Sequence, residues 1–124
     1  VRNALMRRVQ LAARRKVEEL GAIDIDWSWG ERRWREALDA YYDVHEEILL
    51  DADARSVAFF SVDETREKTD HLWSVHQIFS DPDADHDFGI AADVDLDATQ
   101  DTGEVVFNNY RAGFVEDLLD MDAK

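Results

Sequence analysis

The spacing of apolar residues changes period near residue 55, and no other feature of the sequence constrains the fold as strongly. Upstream, VRNALMRRVQLAARRKVEELG places Leu5, Val9, Ala12, Ala13, Val17 and Leu20 three or four residues apart, the stripe of one amphipathic helix. Gly21 is a natural helix stop, so this pattern predicts a basic helix over residues 1–21. Arg7, Arg8, Arg14, Arg15 and Lys16 fall on the rest of its surface. AIDIDWSWG then connects to a second helix, predicted over residues 28–50. Ser28 and Glu31 open it with a capping-box pattern, and Trp34, Ala37, Leu38, Tyr41, Tyr42, His45, Ile48 and Leu49 form its apolar face.

Downstream the period is two. SVAFFSV, HLWSVHQIFS, FGIAADVDLD and EVVFNNYRAGF each read as a strand, separated by the polar connector DETREKTD, the loop DPDADHD and the turn ATQDTG. In the second, Trp73, Val75, Gln77 and Phe79 share a side. In the third, Ile90, Ala92, Val94 and Leu96 face one way and Ala91, Asp93, Asp95 and Asp97 the other, as in a strand with one solvated face. The expected fold is a single α+β domain over residues 1–124. Its two N-terminal helices pack on a four-stranded antiparallel meander spanning 56–114, with 115–124 as a tail that is either a short helical turn or without structure. A cone-shaped sheet like that of nuclear-transport-factor-2-like domains is one form such an order takes.

Composition narrows the chemistry. The chain has no cysteine, which removes disulfides, cysteine zinc sites and thiol nucleophiles and agrees with a cytoplasmic setting. No apolar run approaches the roughly 18 residues that a membrane span needs. The chain opens on Val1 already in helical pattern and reads as a piece of a longer polypeptide. The net charge of −15 is split, with +4 over residues 1–35 and −19 over residues 36–124. A phosphate backbone is therefore repelled by most of the chain, and only the N-terminal arm with Arg7, Arg8, Arg14 and Arg15 suits nucleic acid or an acidic neighbouring domain.

Three clusters are candidates for a site. DVDLDATQDTGE sets acidic residues at the spacing of a calcium loop, but Ala98 stands where such a loop needs glycine, and a strand flanks it. The expectation is a solvated carboxylate face. DPDADHDF holds Asp85, His86 and Asp87, adjacent residues that converge poorly on one ion; a turn organised by Asp81 and Pro82 is the stronger reading, with His86 or Asp87 tying the loop to a neighbouring strand. Tyr41, His45, Trp73 and His76 could line a pocket in a cone-like fold. No phosphate loop, dinucleotide fingerprint or nucleophile elbow is present, so no catalytic residue, metal ligand or cofactor site is assigned.

Several segments read in order resemble one family. They are NALMRRVQLAARR, WGERRWREALDAYYDVHEEI, DADAR and WSVHQIFSDPDADHDFGIAADVDLDATQDTGEVV. The chain is similar to the C-terminal domain of unknown function that ends certain actinobacterial DEAD/DEAH-box, superfamily II helicases. The most specific part is the loop Asp81, Pro82, Asp85, His86, Asp87 and Phe88, followed by Val94, Asp95, Leu96 and Gly103. Phe88 stands where tryptophan is expected, residues 51–55 lack glycine, and the segment after Val106 is individual. The resemblance implies a parent with two upstream motor domains that bind ATP and magnesium and act on RNA or DNA. For this domain it implies no catalytic residues and a role as an accessory module that packs on the motor or contacts substrate or a partner.

Overall fold

The structure, a computed structural model, describes residues 1–122. The first predicted helix is two. α1 (Arg2–Ala13) ends where Arg15 enters the left-handed region at φ 58°, and α2 (Val17–Asp24) follows. A left-handed residue just past a helix normally calls for glycine, and an arginine there costs about 1–2 kcal/mol. Two contacts offset that cost. The Arg15 guanidinium lies 3.8 Å from the centre of the Tyr42 ring, and the Tyr42 hydroxyl donates to the free carbonyl of Ala12 at 2.7 Å.

Gly21 is not a stop. It lies inside α2, where a Cβ would strike the backbone of Glu31, the first residue of α3 (Glu31–Val44). The glycine lets the two helices approach closely. A 3₁₀ turn over Ile25–Trp27 joins them, and Ser28 adopts a left-handed conformation at φ 64°. Ser28 therefore does not cap α3: the N-cap is Gly30 without a side-chain bond, and Glu31 pairs with Arg35 at 2.7 Å. α3 also stops six residues early, at Val44, because His45 is extended; Ile48 and Leu49 then run to the sheet, where the Leu49 amide donates to the Ser80 carbonyl.

The remaining elements are β1 (Phe60–Asp63), the short α4 (Glu67–Asp70), β2 (Leu72–Ile78), β3 (Phe88–Asp95), α5 (Leu96–Thr102), β4 (Phe107–Phe114) and α6 (Val115–Asp122). The strands form the expected antiparallel meander in the order β1-β2-β3-β4, so the fold is α+β with an open sheet. Register puts Trp73 against Val94, Val75 against Ala92 and Gln77 against Ile90, which aligns the alternating apolar sets on one face. On β4 the register slips between the Ala91–Arg111 and Asp93–Asn108 pairs, with Asn109 left-handed at φ 51°. That bulge returns Phe107, Tyr110 and Ala112 to the same face. Leu5, Val9, Ala12 and Leu20 of the first two helices and Trp34, Leu38 and Tyr41 of α3 close over them.

Three expectations for the sheet need correction. The strand predicted from residue 56 begins only at Phe60. ATQDTG is not a turn but the body of α5, capped by Asp95 at its start and by left-handed Gly103 (φ 75°) at its end. The second face is not uniformly solvated, since Ala91 and Arg111 on it are buried. Within the predicted tail, α6 is helical as far as Asp122, while residues 123–124 lie outside the described residues. Among the described residues no helix is long and apolar enough to cross a membrane.

Candidate functional site: a histidine clamped by an aspartate loop

His45 leaves the end of α3 with its side chain fully buried, and the loop between β2 and β3 folds around it. Nδ1 lies 2.9 Å from Asp83 Oδ2, and Nε2 lies 2.9 Å from Asp87 Oδ1. Asp81 stands 3.7 Å from Nδ1 and Asp85 4.0 Å from Nε2. An ionised carboxylate only accepts hydrogen bonds, so both ring nitrogens must donate, and the side chain is an imidazolium. Burial alone pushes its pKa down, but the bonds to Asp83 and Asp87 and the charges of Asp81 and Asp87 win and hold it above the ordinary histidine value.

Asp81 organises the loop. Its Oδ1 accepts the amides of Asp83 (3.0 Å) and Asp85 (2.9 Å), and its Oδ2 accepts the amide of His86 (2.8 Å). Burial pushes the Asp81 carboxyl up, yet these amides and the His45 charge hold it below the usual carboxylate range. The same bonds stabilise two left-handed residues, Ala84 (φ 55°) and His86 (φ 52°). The expected turn set by Asp81 and Pro82 is therefore present. His86 packs on Phe59 with ring centres 4.6 Å apart, and the Asp87 carbonyl accepts the Val115 amide at 2.7 Å, so both residues tie the loop to its neighbours. Phe88 sits in the core against Tyr41, Phe79 and Phe114.

Ligand atoms of His45, Asp81, Asp83 and Asp85 lie within 4.8 Å of one another, the usual make-up of a metal site. A cation there would require His45 to lose a proton and turn a lone pair away from Asp83 or Asp87. The geometry is that of a hydrogen-bonded clamp between α3 and the β2–β3 loop. Sequence reasoning placed His45 and the aspartates in separate candidates; a polar residue on the apolar face of α3 and an aspartate-rich loop were the two halves of the signal.

The acidic stretch 93–104 disperses. Asp93 accepts from the Ser74 hydroxyl at 3.0 Å, Asp95 caps α5 through the Ala98 amide and accepts from Asn108, and Asp97 faces His71 at 3.1 Å. Asp93 and Asp95 share a face of β3 as expected, but the strand ends at Asp95 and Asp97 belongs to α5; the carboxylates bond to different partners. Tyr41, His45, Trp73 and His76 are not brought together either. Phe79 packs on Tyr41, and Trp73 lies six residues earlier on β2, about 20 Å away at strand rise. Trp73 donates to Glu67 at 2.8 Å, while His76 points to the opposite face, where burial and the Arg111 charge lower its pKa.

Of the four arm arginines, Arg7 and Arg14 are exposed, Arg15 is held on Tyr42, and Arg8 is internal. Arg8 Nε and Nη2 donate to Asp24 Oδ1 at 3.1 and 2.8 Å. The indoles of Trp27 (2.7 Å) and Trp34 (2.9 Å) donate to the same fully buried carboxylate. This second hub was legible only in that Arg8 falls between Leu5 and Ala12 on the apolar stripe. No curated protein and no solved structure matches the chain. A family model does match, over residues 1–112, and on that extent the chain belongs to the family described as Domain of unknown function (DUF3516).

Proposed function

We propose that the chain is a non-catalytic accessory domain of a superfamily II (DEAD/DEAH-box) helicase of actinobacterial type, acting in the cytoplasm. It packs on the motor domains of the same polypeptide or contacts their RNA or DNA substrate or a partner, and ATP and magnesium belong to the motor. The resemblance in the tryptophan strand and the Asp81–Phe88 loop supports the parent. One observation supports the non-catalytic role: the side chains of that loop are engaged in holding the fold. Asp81 is committed to three amides, Asp83 and Asp87 to His45, His86 to Phe59, and Phe88 to the core. A general acid or base must have a free position for a substrate proton, and although Asp83 and Asp87 are partly exposed, each has an oxygen committed to His45. The loop conformation serves instead to fix α3 against the sheet and to present a rigid outer surface.

The test is removal of residues 1–124 from the full-length parent, with ATPase and unwinding rates measured beside a pull-down of bound proteins. A several-fold change in either rate, or a lost partner, supports the reading. Unchanged rates and an unchanged partner set would sink it.

A further inference from the structure

The structure disposes of its cations unevenly. Arg8 is buried on Asp24, Arg15 is stacked on Tyr42, and Arg32, Arg35 and Arg66 each pair with a carboxylate four residues away. Among the described residues Arg2, Arg7, Arg14, Arg33 and Arg55 have no carboxylate within ion-pair distance, although Arg2 lies over the Phe60 ring and Arg33 over that of Trp29. In a chain with 29 acidic and 14 basic side chains, four of these five arginines belong to α1 or border it. Arg2 and Arg7 lie on α1, Arg14 is its C-cap, and Arg55, at the end of the 3₁₀ turn Asp53–Arg55, lines a groove of about 280 Å³ with Arg2, Asn3 and Met6. Among the described residues that groove has no carboxylate in its walls.

We infer that the outer face of α1, extended by Arg55, is a track for the phosphodiester backbone of a nucleic-acid strand. The assignment deepens the accessory-domain reading and rests on it for its biological setting. Arg2 and Arg7 lie along a helix about 18 Å long and Arg14 just past its end, and cations at intervals suit a polymer with regularly spaced charge. Guanidinium groups fork onto phosphate oxygens, and Asn3 adds an amide donor. An aromatic ring accompanies the arginines at each end. Phe60 is 5.8 Å from the Arg2 guanidinium and Tyr42 lies under Arg15, so each ring backs a guanidinium plane, a group on which an unpaired base can stack. The borders are set by repulsion. The groove of about 560 Å³ beside Arg7 carries Asp26 and Glu104 on its walls, and residues 36–124 hold 24 acidic side chains. At 0.1 M salt those more than about 10 Å away are screened, leaving the track as the attractive face.

The experiment is fluorescence anisotropy of the 124-residue chain with labelled single-stranded dT and rU oligonucleotides over a series of salt concentrations. Four arginine–phosphate contacts give a slope of log K against log salt near −2.8, and affinity falls about fifty-fold between 50 and 200 mM salt. Arg55→Ala or Arg14→Ala flattens the slope by about 0.7, and the R2A/R14A/R55A triple weakens binding tenfold or more. Arg66→Ala removes the same charge beside α4 and leaves the slope unchanged. Three results overturn the inference: no binding at high micromolar protein and low salt, an Arg66→Ala effect equal to that of Arg55→Ala, or a polyglutamate peptide that displaces the oligonucleotide at equal charge concentration. Any of these leaves the deletion experiment on the parent free to support an accessory role through protein contacts alone.

Discussion

Replacing His45 with phenylalanine isolates the polar half of the clamp, because the ring volume and its contact with Tyr41, 5.0 Å between centres, are retained. The substitution deletes two charge-assisted hydrogen bonds of 2.9 Å. Such bonds contribute about 1.5–3 kcal/mol each. The low end applies here, since the side chains of Asp83 and Asp87 are 60% and 38% exposed and recover water once the imidazolium is gone. Asp81 keeps its three amide donors and stays satisfied. The expected loss is about 3 kcal/mol near pH 6, a melting point lowered by roughly 10 °C for a chain of this size. Urea unfolding gives the free energy and confirms that cooperativity survives.

The pH dependence is the sharper part. His45 has a folded pKa above its unfolded value, so its contribution is complete below about pH 6.5 and is lost as pH rises through the folded pKa. The gap between wild type and His45→Phe must therefore be widest in mild acid and shrink toward pH 9. Below about pH 4 both proteins weaken, because Asp81 has a depressed folded pKa and its contribution disappears as it is protonated. His45→Gln, which retains one donor and no titrating group, gives an intermediate stability with no such slope. A gap that stays constant from pH 6 to pH 9 would mean a neutral imidazole, and the argument for a doubly donating ring would be wrong.

Three further outcomes follow from the packing. Asp24→Ala leaves the buried Trp34 indole without its acceptor, the half-buried Trp27 indole likewise, and the buried Arg8 guanidinium with only the Ala4 carbonyl, and costs about 3–5 kcal/mol by urea unfolding; a loss below 1 kcal/mol would show that water enters the hub. Gly21→Ala destabilises by about 1–3 kcal/mol although alanine is the better helix former, because its Cβ meets the backbone of Glu31; a gain in stability would refute the close approach of α2 and α3. Millimolar calcium or zinc at pH 6 leaves the melting temperature where it was, since both His45 nitrogens carry protons, and a rise of several degrees would reveal a cation displacing them.

The sheet was the legible part of this fold because alternation is a local signal, and Val75, Gln77, Ile90 and Val94 report their face without reference to anything distant. The helix boundaries were not. The break after Ala13 rests on a left-handed arginine, which carries no glycine or proline to announce it, and Gly21 announced a stop that a tertiary approach had placed there for another reason. Asp93, Asp95 and Asp97 look like one strand face since the period of two runs across the strand end, where Asp95 has become a helix cap. The clamp was the hardest to see. His45 and Asp83 are 38 residues apart, and no spacing rule links a residue that ends a helix to a loop beyond two strands.

The two carboxylate hubs share a logic that bears on the domain's role. Asp24 gathers Arg8 from α1, the indole of Trp27, and Trp34 from α3, while Asp81 and its loop gather His45 from the other end of α3. Each fixes one end of the helix that covers the sheet. Apolar packing alone would hold α3 on the sheet but would permit it to slide, since side chains of similar size exchange at small cost. Directional bonds at both ends remove that freedom, and a buried charge left behind by any displacement would be penalised. An enzyme that closes over a substrate needs an element free to move, whereas a module that must hold a surface in register with a neighbouring motor needs its covering helix locked. The distribution of buried charge therefore makes α3 the locked element of this fold, a property that the adaptor role proposed above would use.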